Sequence, residues 1–235
     1  VGDVDYAQCG DTHLAYRVTG EAGRVDVVVV AGALFPFELL AEDRVASRFT
    51  DGLAALGRLV VFDKRGVGLS DPITDWNRSL QEQWADDLVA VVEAAGLERS
   101  VLVSWEPLGV ARLAVSARPD LFSAMVLVNP AHTTRPFSEL LSTHAGQTLP
   151  NRTVEEIAFP SRIKDPEFVA WLARSGRAGA SPSSAARIWE RALGYEGALT
   201  PPGIDVPTLV LHNRDCRQPE EEVRAVTAAL PEATF

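Results

Sequence analysis

Lysine is almost missing from this chain: Lys64 and Lys164 are the only two among 22 basic residues, and no run of basic residues occurs. With a formal net charge of −10, the sequence has no electrostatic footprint for nucleic acid or for an anionic membrane surface. Long apolar runs are missing too. The longest, Val27–Leu34, contains Gly32 and falls far short of the roughly 20 residues a membrane-spanning helix needs. Cysteine is scarce. Cys9 and Cys216 stand far apart without CxxC spacing, which reads as two independent reduced thiols, not a disulfide framework or a zinc site. The histidines, His13, His132, His144 and His212, show no i, i+4 pair beside a carboxylate, so no metal is expected. There is no starting Met, no signal-type leader, no internal repeat and no low-complexity tract. These absences point to a cytoplasmic protein without a cofactor, whose partner is a small-molecule ligand and neither nucleic acid nor membrane.

What is present is ordinary globular material: 46% hydrophobic and 23% charged residues over 235 positions. A chain of this length buries roughly 70–75% of its unfolded surface and needs no staple. Strand-like and helix-like segments alternate, the pattern of a largely parallel sheet covered by helices on both faces. Tyr6–Cys9 and Thr12–Val18 flank a Gly10-Asp11 turn and read as a hairpin. Val25–Val30, Leu59–Phe62, Ser100–Val103, Ala124–Val128 and Pro207–Leu211 read as buried strands. The intervening helices are Asp43–Leu56, Leu80–Ala95 with Gly96 at its end, and Pro107–Ala117 with proline in its first turn. Pro219–Leu230 adds a last helix, after which Ala233-Thr234-Phe235 reads as the start of a further, truncated strand. Between Ala131 and Pro202 strand signals vanish and prolines punctuate helical pieces. The expected division is a core of residues 1–130 and 203–235 with a helical insertion over 131–202. Within it, Gly179-Ala-Ser-Pro-Ser183 reads as a helix start.

The stretch Val60-Val-Phe-Asp-Lys-Arg-Gly-Val-Gly-Leu-Ser-Asp71 resembles the D-x-R-G-x-G-x-S segment of the α/β-hydrolase superfamily. Its wording is closest to a bacterial subgroup often fused to class III nucleotide cyclase or other signalling domains. Phe168-Val-Ala-Trp-Leu-Ala-Arg174 and Val206-Pro-Thr-Leu-Val-Leu-His212 are similar to the same subgroup. Taken without the family, Gly66 and Gly68 read as glycines of a tight turn, since no glycine-lysine follows to make a phosphate loop. The resemblance implies an α/β-hydrolase fold whose insertion caps a pocket, with a fused or adjacent signalling domain as a partner.

It also implies a nucleophile on a strand-to-helix elbow, G-x-S-x-G. This sequence departs from that pattern. After Val103 it reads Ser104-Trp-Glu-Pro-Leu-Gly109, so Glu106 fills the nucleophile slot in one register and Trp105 in the other. Neither is Ser, Cys or Asp. A displaced Ser104 would have Leu102 and Glu106 where glycines are wanted. Pro107 has no N–H to offer an oxyanion, and loss of one such donor costs roughly 10²–10³ in rate. Asp215 matches the place of the acid with a one-residue departure, and the family's histidine would lie beyond Phe235. The implied ligand-binding positions are Gly32, Ala33, Phe35 and Trp105. Two functions follow: a degenerate member acting as a small-molecule-binding or sensor module, or a hydrolase of small apolar esters, lactones or epoxides with an altered nucleophile.

Overall fold

The computed structural model describes residues 2–32, 34–105, 109–130, 159–193, 204–215 and 219–235. Two antiparallel strands come first, β1 (Asp5–Cys9) and β2 (Thr12–Thr19), turning at Gly10 with φ of 61°. Then follow β3 (Val27–Val30), a four-residue helical turn α1 (Phe37–Leu40), α2 (Arg44–Ala54), β4 (Leu59–Phe62), α3 (Leu80–Ala94), β5 (Ser100–Ser104), α4 (Gly109–Ala117) and β6 (Phe122–Val128). Helices α5 (Pro166–Gly179) and α6 (Pro182–Leu193) precede β7 (Thr208–Leu211), α7 (Glu220–Ala228) and β8 (Ala233–Thr234).

The eight strands form one sheet in the order β1-β2-β4-β3-β5-β6-β7-β8. The five runs expected to be neighbouring buried strands are adjacent and parallel. β3 is four valines, whose branched side chains suit a pleated surface packed on both sides. The short run expected to follow the last helix is β8, two residues paired parallel with β7. The helix read as starting at Asp43 starts at Arg44 instead, because Asp43 is its N-cap and accepts from the N–H groups of Val45 and Ala46. α6 begins as the Gly179–Ser183 reading required, with the Ser181 hydroxyl accepting from Ser184 N–H. The insertion is helical where it is described.

The two sheet faces are covered unequally. On one, Val28, Val60, Leu102, Met125 and Val210 pack beneath α3, α4 and α7 across the whole parallel sheet. On the other, among the described residues, α1 and α2 bring Phe37, Phe49 and Leu53 onto Val27, Val29, Leu59 and Val61, with Val103 of β5 buried in the same cluster and Val126 of β6 packed against it. The strand register follows this fade along a single row. Val61, Val29 and Val103 are buried, Val126 is half-buried, and Leu209, next in the row, is 42% exposed. Leu211, opposite Val128, is 43% exposed. We therefore expect Val29→Ala to cost about 2 kcal/mol in urea denaturation and Leu209→Ser no more than about 0.5 kcal/mol. Equal losses would show that the far half of this face is also packed.

Candidate functional site

In open parallel sheets ligands bind in the crevice beyond the carboxyl ends of the strands. Gly32, Trp105 and Asp215 follow β3, β5 and β7, so the topology brings their backbones to that edge. After β3, Gly32 lies against Trp105. A Cβ there would stand 2.8 Å from the Trp105 carbonyl oxygen, so only glycine allows the two loops to approach this closely. Trp105 N–H donates to Val30 carbonyl oxygen at 3.1 Å and prolongs the β3–β5 ladder by one residue. Its ring, 40% exposed, stands edge-on to Phe49 of α2 at 4.6 Å. Phe35 turns elsewhere, toward Trp171 and Phe159 at 5.5 and 6.2 Å. Gly32 and Trp105 are thus brought together, while Phe35 joins the aromatic cluster of the insertion. Ala33 and Glu106 lie outside the described residues.

Ser104 is the last residue of β5, paired opposite Val30 and Leu127, and is fully buried. A displaced nucleophile would have to reach a ligand, which burial inside the sheet prevents. Beyond β7, Asp215 is exposed in a turn where its N–H donates to the Asn213 side-chain oxygen at 3.0 Å. Asn213 N–H in turn donates to Asn129 Oδ1 at 2.7 Å, tying the end of β7 to the end of β6. His13 is committed to Asp71, Nδ1 to Oδ2 at 3.0 Å, on the hairpin side.

The resemblance-bearing loop after β4 is held from inside. Gly66 and Gly68 have φ of 83° and 54°, as the tight-turn reading requires. Arg65 bonds the fully buried Asp87 of α3 through Nε, at 2.9 Å to Oδ1, and Gln83 at 3.1 Å. Ser70 Oγ donates to the Asp63 carbonyl oxygen at 2.6 Å and accepts from Ala15 N–H at 2.9 Å. Asp63 itself, 1% exposed, accepts from Phe37 N–H at 2.9 Å and Leu69 N–H at 3.0 Å. Burial pushes its carboxyl up to about 6; the two backbone donors oppose this, and nearby Glu38 adds to it. Sequence reading missed this role, although an acid directly after a buried strand was the available signal. Between this loop and the α5–α6 corner lies a recess of about 240 Å³ lined by Gly66, Gly68, Pro72, Trp76, Gly179 and Ser184. That is below the several hundred Å³ usual for a small-molecule pocket.

The insertion is also anchored on the opposite side. Arg162 makes a two-pronged pair with buried Asp43, Nη1 to Oδ1 at 2.8 Å and Nη2 to Oδ2 at 2.9 Å, and covers the Phe168 ring at 4.0 Å. Burial pushes the Asp43 carboxyl up, but Arg162 and the α2 amides outweigh it and hold it below its ordinary value. Trp171 Nε1 donates to Leu39 carbonyl oxygen at 2.7 Å. These partners are more than a hundred residues apart in sequence, and no local pattern announces them.

No family model matches the sequence, and no curated protein matches it. Solved structures do. The enol-lactonase from Burkholderia xenovorans LB400 superposes with a TM-score of 0.76 at 19% identity, over 98% of this chain and 90% of that one. The esterase RhEst1 from Rhodococcus sp. ECU1013 gives 0.76 at 22% identity, over 98% and 88%. The fold is the α/β-hydrolase fold. An epoxide hydrolase from Bacillus megaterium matches with 0.70 at 14% identity, over 98% and 90%. At such identities the likeness carries architecture and transfers no catalytic residue.

Gly68 and Gly10 together separate crowding from backbone strain. A Cβ on Gly68 would overlap the Asp63 carboxylate, whereas one on Gly10 meets nothing within 4 Å, and both residues have positive φ. Gly10→Ala should cost about 1–2 kcal/mol, the strain alone, and Gly68→Ala at least about 2 kcal/mol more, because buried hydrogen bonds at Asp63 are lost as well. Chemical denaturation of the two variants tests this, and equal costs would remove Asp63 from the loop's support.

Proposed function

We propose that this protein binds a small, largely apolar ester, lactone or epoxide at the carboxyl edge of its sheet and does not process it through a serine nucleophile. The observation that carries this reading is the burial of Ser104 within β5, after which the sequence continues Trp105, Glu106, Pro107 and Leu108. None of the four is a serine, cysteine or aspartate. Pro107 removes a backbone donor at the position where such folds stabilise an oxyanion. The ligand class is suggested by the structural neighbours, whose names include an enol-lactonase, an esterase and an epoxide hydrolase. Gly32, Ala33 and Trp105 are the proposed ligand-side positions, and Asp215 the remnant of an acid. A sensor role beside a fused or adjacent signalling domain extends this reading to the cell.

A second reading has its own support: the named neighbours are enzymes, so turnover through an altered nucleophile, with Glu106 in the slot, is the alternative. The two diverge in one experiment. A fluorophosphonate probe should leave the protein unlabelled, and p-nitrophenyl butyrate should be cleaved no faster than by a matched control protein. Glu106→Ser should not restore cleavage, because Pro107 and Leu108 still deny the turn its donor and its room. Nucleophile and oxyanion donor act as a unit, so one repair recovers little. Stoichiometric labelling of Ser104, or ester turnover abolished by Glu106→Gln, would establish the enzyme.

A further inference from the structure

Three chain segments that are distant in sequence close on Asp63. Its Oδ1 accepts from Phe37 N–H, at the start of α1, and its Oδ2 accepts from Leu69 N–H, in the loop after β4. The neighbouring Gly68 is pressed so closely on the carboxylate that no side chain fits there. Gly68 N–H then donates to the Gly179 carbonyl oxygen at 2.9 Å, at the last residue of α5. Gly179 is in turn pressed against the Leu34 carbonyl oxygen, again leaving no room for a Cβ. The carboxyl of Asp63 is therefore the inner member of a junction joining the loop after β3, the loop after β4 and the end of the first described helix of the insertion.

Among the described residues, no cation bonds to Asp63. Lys64, beside it, points its Nζ to the Ala31 carbonyl oxygen and over the Trp84 ring. Glu38 of α1 is the like charge nearest in effect, and Arg17 of β2 is paired with that glutamate. From the hairpin, His13 is paired with Asp71. From the insertion, α5 brings Arg174, paired with Glu42, and Arg177, while α6 brings Arg187, which lies over Trp76. The Lys64 charge favours the ionised carboxyl, but burial outweighs it, and a carboxylate this deeply buried whose two bonds come from neutral donors is expensive to keep charged.

We propose that Asp63 is a proton-operated latch, holding the end of α5 against the two loops most firmly when its carboxyl is neutral and releasing it more readily once the carboxyl is charged. The proposal stands whether or not the crevice takes a ligand, since it concerns the closing of the junction alone. Opening the junction gives Asp63 back to water and to its ordinary value of 3.8, whereas the closed junction raises it to about 6. Closure therefore takes up a proton between these values. The closing equilibrium is most favourable below the lower value, falls as pH rises toward 6, and is level above it. The amides at the junction should report this as local opening, distinct from unfolding of the whole sheet.

Hydrogen exchange at Phe37, Gly68 and Leu69, corrected for intrinsic rates, tests the latch. From pH 5.0 to pH 7.5 their protection should fall about tenfold in the natural protein, as the linkage relation gives for these two values. In Asp63→Asn, which is neutral at every pH, protection should not change over that range. A natural protein with flat protection, or an Asp63→Asn variant with the same slope, would overturn the proposal. A second readout needs no variant. The Asp63 side-chain carboxyl, followed by carbon-13 NMR, should titrate near 6, and a midpoint near 4 would overturn the latch as well.

Discussion

The arrangement depends on a carboxylate that has been taken out of water with no cation bonded to it among the described residues. Asp63 ends the buried strand β4, and the loops on either side are built around the need to supply it with hydrogen bonds. That need places Phe37 N–H at the start of α1 and Leu69 N–H in the loop after β4. It also explains why Gly68 can be nothing larger. The D-x-R-G-x-G-x-S pattern is thus a structural sentence: the acid collects the loops, the arginine anchors to Asp87, the glycines permit the turn and Ser70 bridges the β4 end to the hairpin.

The rest of the molecule follows from how the sheet is covered. Helices α3, α4 and α7 close one face over its whole parallel width, while among the described residues α1 and α2 cover the other face from β4 to β5, with Val126 of β6 at the margin. Residues 159–179 sit on that second side through Arg162 on Asp43 and Trp171 on Leu39 and reach the loop after β4 through Gly179, while Ile188 and Ala192 of α6 pack with α3 on the first. The insertion helix α5 is therefore bound at two places of different chemistry: a charged pair at one end, and a glycine-to-glycine backbone contact over Asp63 at the other.

The core of this fold was legible because parallel strands buried on both faces must be apolar throughout. Val27–Val30 and Leu59–Phe62 can be little else. The departure from the G-x-S-x-G pattern was legible for the opposite reason. The turn tolerates so few residues that Trp105, Pro107 and Leu108 stand out as exceptions to it. What the sequence did not disclose depends on long-range approach. The exposure of Leu209 cannot be read from a strand pattern that looks the same as its buried neighbours, because burial on that face is decided by which distant segments pack over it. The pairing of Asp43 with Arg162, the turn of Phe35 toward Trp171 and the seat of Gly179 on Leu34 all require the insertion to be folded first. Asp63 lay in plain view within the resembling segment, yet its burial is a property of the loops that wrap it.

The central claim is that an α/β-hydrolase fold without a serine at its elbow retains a ligand and leaves it intact. Calorimetric titration with an N-acyl homoserine lactone, followed by mass spectrometry of the recovered ligand, tests it most directly. The account expects saturable binding near one equivalent and recovery of the closed lactone, unchanged after hours at neutral pH beyond its spontaneous opening in buffer. Catalytic ring opening, with more than one equivalent of hydrolysed product per protein above that background, would contradict it.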